Sequence, residues 1–150
     1  AIGMTQEKVS QESGDDAPAT IIVADDDDSL RSLITTVLTR AGYSVRAVPT
    51  GAWALAQFAA NPSDLIITDV LMPNMDGIQL IRKLYDSGLP VRILAVTGFA
   101  GDVDYLEIAE SLGALRTLRK PFRNHELLAA VEASLSMPAR SLKEVLPESL

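Results

Sequence analysis

From Thr20 onward, apolar residues alternate between two rhythms. Ile21-Ile22-Val23-Ala24 is a continuous apolar run, the pattern of a strand covered on both faces. It ends in the aspartates Asp25 to Asp28, after which Leu30, Leu33, Ile34, Val37 and Leu38 recur at helical spacing until Gly42. Asp28 or Ser29 is placed to cap that helix. Tyr43 to Val48 alternates as an edge strand does, and Gly51 to Ala60 reads as a helix ended by Asn61-Pro62. Leu65 to Thr68 is a second buried strand, followed by a loop and a helix carrying Ile78, Ile81, Leu84 and Tyr85. Val91 to Val96 predicts another strand, and Val103 to Leu112 a helix closed by Gly113. A half-polar strand over Leu115 to Arg119 and a helix over Asn124 to Leu135 complete the series.

Five strand–helix units in succession define a parallel sheet with helices on both faces, a doubly wound α/β domain over residues 20–136. The three apolar strands belong in the middle and the two polar-tolerant ones at the edges. Residues 1–19 are small, polar or acidic and are expected to be a disordered leader, Ala1-Ile2-Gly3 ahead of Met4 being consistent with a cloning scar. Pro138 ends the last helix. Residues 137–150 are left as a tail or linker in which Leu142, Val145 and Leu146 form a short apolar face.

Composition narrows the chemistry. Thirteen Lys and Arg against twenty Asp and Glu give a net charge of -7, which disfavours a non-specific phosphate-backbone binder, so direct nucleic-acid binding is not expected. The chain has no cysteine and a single histidine, His125, excluding disulfides, thiol catalysis and multi-His metal sites. No apolar run reaches the roughly 18 residues that span a bilayer, so a cytoplasmic protein without membrane contact is the default.

In open α/β sheets ligands bind beyond the carboxyl ends of the strands, where the strand order reverses. Asp25 and Asp26 follow the first strand and Asp69 the third. If those strands are neighbours, three carboxylates converge, and a bound cation relieves their repulsion. Oxygen-only ligands favour a hard ion such as Mg²⁺. Thr97 and Lys120 stand at the ends of two further strands, adding a hydroxyl and an ammonium suited to phosphoryl oxygens. An activated aspartate can itself attack phosphorus, and Asp69, on the central strand, is the best candidate.

Asp25-Asp26 after a buried strand, Asp69 followed by Met72-Pro73 and Asp76-Gly77, Thr97 after a strand, and Lys120-Pro121-Phe122 together resemble the receiver domain of bacterial response regulators, over about residues 20–136. The resemblance implies a flavodoxin-like receiver fold with strand order 2-1-3-4-5. It implies a phosphoryl group accepted on Asp69 from a histidine kinase or a histidine phosphotransfer protein. It further implies Mg²⁺ held by Asp26 directly, Asp25 through water, Asp69, and the backbone carbonyl of Leu71. Lys120 would contact the phosphoryl group, with a cis bond to Pro121. Thr97 would move toward the phosphoryl oxygen and alter the face of the fourth helix, fifth strand and fifth helix, where a downstream protein docks. No further catalytic or helix-turn-helix segment is read after residue 136, so output is expected through protein contact or from a domain outside the sequence.

The family commonly carries Tyr or Phe three residues before the lysine, where this chain has Thr117, so aromatic-switch coupling is not expected. Leu71 and Phe99, two residues after Asp69 and Thr97, are apolar and unable to orient an attacking water, which predicts a long-lived phosphoryl group. Leu71 also weighs against the rival reading, a Mg²⁺-dependent aspartyl-phosphate phosphohydrolase, whose second Asp would stand there. A phosphorylation-independent binding module is disfavoured by the full set of pocket residues, and a flavin site by the lack of a Gly-rich loop after the first strand. Asp27 and Asp28 read as a solvated helix start, Asp76-Gly77 as a turn, His125 as a surface residue, Trp53 as partly buried packing, and Arg116, Arg119 and Arg123 as a solvated edge.

Overall fold

In the computed structural model, residues 17–70, 77–100, 103–111 and 113–145 are described. Five parallel strands, β1 (Thr20–Ala24), β2 (Ser44–Val48), β3 (Leu65–Asp69), β4 (Ile93–Thr97) and β5 (Arg116–Arg119), form one sheet in the order β2-β1-β3-β4-β5. Between and after them run α1 (Asp28–Arg40), α2 (Gly51–Ala60), α3 (Gly77–Ser87), α4 (Tyr105–Ser111), α5 (Asn124–Leu135) and the short α6 (Leu142–Val145). The order is the doubly wound one, with short two-residue strands interposed in the chain but not in this sheet. It reverses between β1 and β3, the strands that precede Asp25 and end in Asp69.

Strand periodicity divides the core. Ile21, Val23, Leu65, Ile67, Leu94 and Val96 pack with Ile34 and Leu38 of α1 and Leu127 and Val131 of α5. The alternate residues Ile22, Ala24, Ile66 and Ile93 meet Ala54 and Phe58 of α2 and Leu80, Ile81 and Leu84 of α3. Each fully buried aliphatic side chain contributes roughly 1.5–3 kcal/mol relative to exposure, so both faces of the sheet help to hold it. The central strands are buried throughout, whereas β2 and β5 keep exposed positions, as edge strands do.

Several local expectations are corrected. Asp27, not Asp28 or Ser29, caps α1, its carboxylate accepting the Leu30 amide at 3.1 Å. The run Val91 to Val96 is two strands, because Arg92 interrupts the pairing: Pro90–Val91 pairs antiparallel with Arg140–Ser141, and Ile93 opens β4. Val103–Asp104 pairs with Phe99–Ala100, so α4 begins only at Tyr105. Trp53 is 61% exposed, because it falls on the outward side of α2, while Ala54 and Phe58 face the sheet.

The segment after α5 folds back beneath the sheet. Arg92 donates to the Met137 carbonyl (Nε, 2.6 Å) and to the Asp64 carbonyl (3.1 Å). Leu142, only 3% exposed, joins the cluster of α2, α3, Val91 and Ile93. Of the apolar face expected in this segment, Leu142 packs onto the domain, while Leu146 lies outside the described residues. Residues 1–16 of the leader expected over 1–19 lie outside the described residues, as do Leu71, Met72, Pro73 and Asp76, whereas the Ala19 carbonyl accepts the Ser44 amide at 2.9 Å.

Candidate functional site

Parallel pairing aligns the carboxyl ends of β1 and β3, with Ala24 opposite Thr68, so that the next residues, Asp25 and Asp69, emerge side by side. One oxygen from each of Asp25, Asp26 and Asp69 lies within 4.8 Å of the others. Asp25 and Asp69 are buried and Asp26 is exposed, so the acidic cluster has a closed floor and an open mouth. Asp25 is fixed on two sides: its Oδ1 accepts the Asp27 amide at 2.9 Å, and its own carbonyl accepts Arg31 at 2.7 Å.

Register also delivers the two remaining residues. Asp69 stands opposite Val96 on β4, and Thr97 opposite Arg119 on β5, which places Thr97 and Lys120 at the same end of the sheet. The Lys120 amide donates to the Thr97 carbonyl at 2.8 Å, tying the two strand ends together. Lys120 Nζ lies 2.8 Å from Asp69 Oδ2 and 3.5 Å from Asp25 Oδ2. The Lys120–Pro121 peptide is cis. Gly77, at the start of α3, closes the far side of the loop: its amide donates to the Val70 carbonyl at 2.9 Å. A Cβ there would overlap the Asp69 carbonyl oxygen and lie 2.7 Å from the Val70 Cα, so only glycine fits without displacing the end of β3.

Electrostatics follow from burial. Removal from water pushes the Asp25 carboxyl above its ordinary value; the Asp27 amide and Lys120 oppose that shift, and the Asp69 and Asp26 carboxylates reinforce it. Burial pulls the Lys120 ammonium down, but the hydrogen bond and charge of Asp69, with the charge of Asp25, outweigh it and leave the ammonium above its ordinary value. One ammonium thus faces two buried carboxylates, with Asp26 beside them. That donor set, all oxygen, with an open exposed member in Asp26, fits a hard divalent cation.

All five side chains singled out from the sequence therefore converge. Leu71, the sixth predicted participant, lies outside the described residues. Not anticipated was a groove of about 780 Å³ running from Asp69, Thr97 and Lys120 to Leu30, Leu33, Pro121 and Phe122. Leu33 is 46% exposed on its rim. Its signal in the sequence was the Leu30–Leu33 pair at the opening of α1, which helical periodicity assigned to the core. His125, Arg116, Arg119 and Arg123 are exposed.

Comparison with known proteins agrees with this geometry. Residues 21–132 match the family model of the response regulator receiver domain, and the chain belongs to that family. It is 33% identical over 115 residues to the response regulator receiver protein CpdR of Brucella abortus (strain 2308), covering 77% of this chain and 95% of that protein. It is 36% identical over 118 residues to the DNA-binding transcriptional regulator NtrC of Azospirillum brasilense, spanning 79% of this chain but only 24% of NtrC. A solved structure of a putative response regulator from Chloroflexus aurantiacus J-10-fl superposes with a TM-score of 0.72 at 35% identity, over 80% of this chain and 99% of that one. Vibrio cholerae chemotaxis protein CheY4 gives a TM-score of 0.70 at 30% identity, over 79% of this chain and 99% of that one. No helix among the described residues is long and apolar enough to cross a membrane.

Proposed function

We propose that this chain is a phosphorylation-driven switch whose Asp69 carboxylate accepts a phosphoryl group from a histidine kinase or histidine phosphotransfer protein. The observation that carries this reading is the 2.8 Å contact of Lys120 Nζ with an Asp69 carboxylate flanked by two further acids at the switch point of the sheet. An Asp69 oxygen attacks phosphorus, the donor's N–P bond breaks with its electron pair leaving on the imidazole nitrogen, and an acyl phosphate forms. Lys120, already at the acceptor oxygen, pairs with the added negative charge, and Thr97 at the adjacent strand end offers a hydroxyl to a phosphoryl oxygen. Asp25, Asp26, Asp69 and the Leu71 carbonyl are the residues that would hold Mg²⁺, which when bound would supply neutralising positive charge for the transfer. The groove lined by Leu30, Leu33 and Phe122 opens onto Asp69 and gives a phosphohistidine-bearing partner an apolar seat beside the acceptor. Output passes to a downstream protein at α4, β5 and α5, without an aromatic switch at Thr117. The receiver unit is assigned to residues 20–136.

Intact mass after incubation with acetyl phosphate, with and without Mg²⁺, tests the reading on wild type and Asp69→Asn. A Mg²⁺-dependent gain of one phosphoryl group, absent from the variant, is the expected result. An equal gain in Asp69→Asn, or none in wild type, would overturn it.

A further inference from the structure

We propose that the domain edge formed by β2 and α2 is a self-association surface, on which two copies of this chain pair about a two-fold axis, the Trp53 indole of each seated in the recess beside Trp53 of the other. The charge pattern points there first. Between Ala41 and Ser63 the only charged residue is Arg46, in a chain whose net charge is -7. Among the described helices α2 alone carries no acid: α1 has Asp28, α3 Asp86, α4 Glu107 and Glu110, α5 Glu126 and Glu132, α6 Glu144. A two-fold axis brings a surface patch against its own copy, so an acidic patch meets itself and repels. The α2 face is the helical face on which two anionic copies can meet without that cost.

Shape agrees with charge. The outward residues of α2 are Ala52, Trp53, Ala56, Ala59 and Ala60, small except for one protruding indole that is 61% exposed. Beside it lies a concavity of about 710 Å³ bounded by Trp53, Ala56, Ala60, Arg46, Gln57 and Asn61. Arg46 does not project as a free charge: its guanidinium donates to the Asn61 carbonyl at 2.7 Å and to Gln57 Oε1 at 3.3 Å. A knob next to a hole on one face is self-complementary under two-fold rotation, whereas a different partner would need only one of the two. Alanines let the helices approach closely. The recess offers amide groups to the indole N–H and a guanidinium to its face. The surface shares no residue with the groove at Asp69, so its test is independent of phosphorylation.

Trp53 is the chain's single tryptophan, so its emission reports on the contact directly. Sedimentation equilibrium and fluorescence of the full chain, from about 1 μM to about 1 mM, should show the mass doubling and the emission moving to shorter wavelength in step. Association should strengthen with salt, since screening removes the residual repulsion of the two anionic bodies. Ala56→Glu and Trp53→Ser should each hold the mass at that of the monomer with unchanged far-UV circular dichroism, both positions being exposed. A monomer throughout the range, a dimer that survives both substitutions, or a mass increase without an emission shift overturns the proposal.

Discussion

Asp25→Asn should stabilise the metal-free protein while abolishing its response to Mg²⁺. The Asp25 carboxylate is only 2% exposed and stands within 4.8 Å of two others. At an effective dielectric near 20, the repulsion from Asp69, whose oxygen lies within 4.8 Å, is at least about 3.5 kcal/mol, and the attraction of Lys120 at 3.5 Å is about 5 kcal/mol. Asp26, being exposed, adds about 1 kcal/mol of repulsion in a more aqueous dielectric. These charges nearly cancel, which leaves desolvation opposed chiefly by the Asp27 amide and agrees with burial as the largest cause of the raised carboxyl pKa. Asn retains an oxygen for the Asp27 amide, and Lys120 keeps Asp69 at 2.8 Å. The variant should therefore gain roughly 1–2 kcal/mol at neutral pH, or about 2–8 °C in Tm.

The pH dependence has a definite sign. A carboxyl whose folded pKa is raised favours folding fully below its unfolded value of 3.8, and that contribution is lost as pH rises through the folded pKa. The advantage of the variant over wild type should accordingly grow from acid toward neutral pH. Urea denaturation followed by far-UV circular dichroism, at several pH values with and without Mg²⁺, measures both effects. At Mg²⁺ about 100-fold above its Kd, wild type should gain about 2.7 kcal/mol and the variant little. A variant less stable than wild type without metal, or one that keeps the Mg²⁺ increment, would refute the electrostatic reasoning.

Other substitutions probe the supports of the site. Gly77→Ala should cost roughly 1–3 kcal/mol and slow phosphorylation, since the added methyl displaces the Asp69 carbonyl; thermal melts and mass-detected phosphorylation rates report both. Lys120→Ala should destabilise the fold by roughly 1–3 kcal/mol by removing the ammonium that faces the buried Asp25 and Asp69; in wild type this contribution is full below pH 10.5 and fades only as pH rises through the higher folded pKa, which alkaline melts will show. Leu142→Ala should cost roughly 2–5 kcal/mol in urea denaturation because the chain beyond α5 is part of the core. Polar residues at both Leu71 and Phe99 should shorten the phosphoryl lifetime severalfold, and loss of label unchanged by the double substitution would exclude their role.

The sheet was legible because its three central strands are apolar runs of strand length and its edge strands alternate, all broken by Gly, Pro and Asp. The site was legible for a related reason: parallel strands present their next residue at one end, so Asp25, Asp69, Thr97 and Lys120 converge once the order is known. Strand order itself came from family resemblance, since periodicity carries no information about neighbours. The segment after Pro138 was obscure because its short apolar face carries no sign of what it packs against, and the burial of Leu142 accompanies an antiparallel pairing of Arg140–Ser141 with Pro90–Val91 some fifty residues earlier. Trp53 shows the converse limit. In a helix whose every face is apolar, hydropathy does not say which side meets the sheet.

Locating the phosphoryl group decides whether Asp69 is the acceptor. After acetyl phosphate treatment with Mg²⁺, borohydride reduction converts an aspartyl phosphate to homoserine, and peptide mass spectrometry finds its position. Homoserine at residue 69 alone is the predicted result. Homoserine at Asp25 or Asp26, or none in a chain that has gained phosphate, would contradict the assignment of Asp69 as the acceptor.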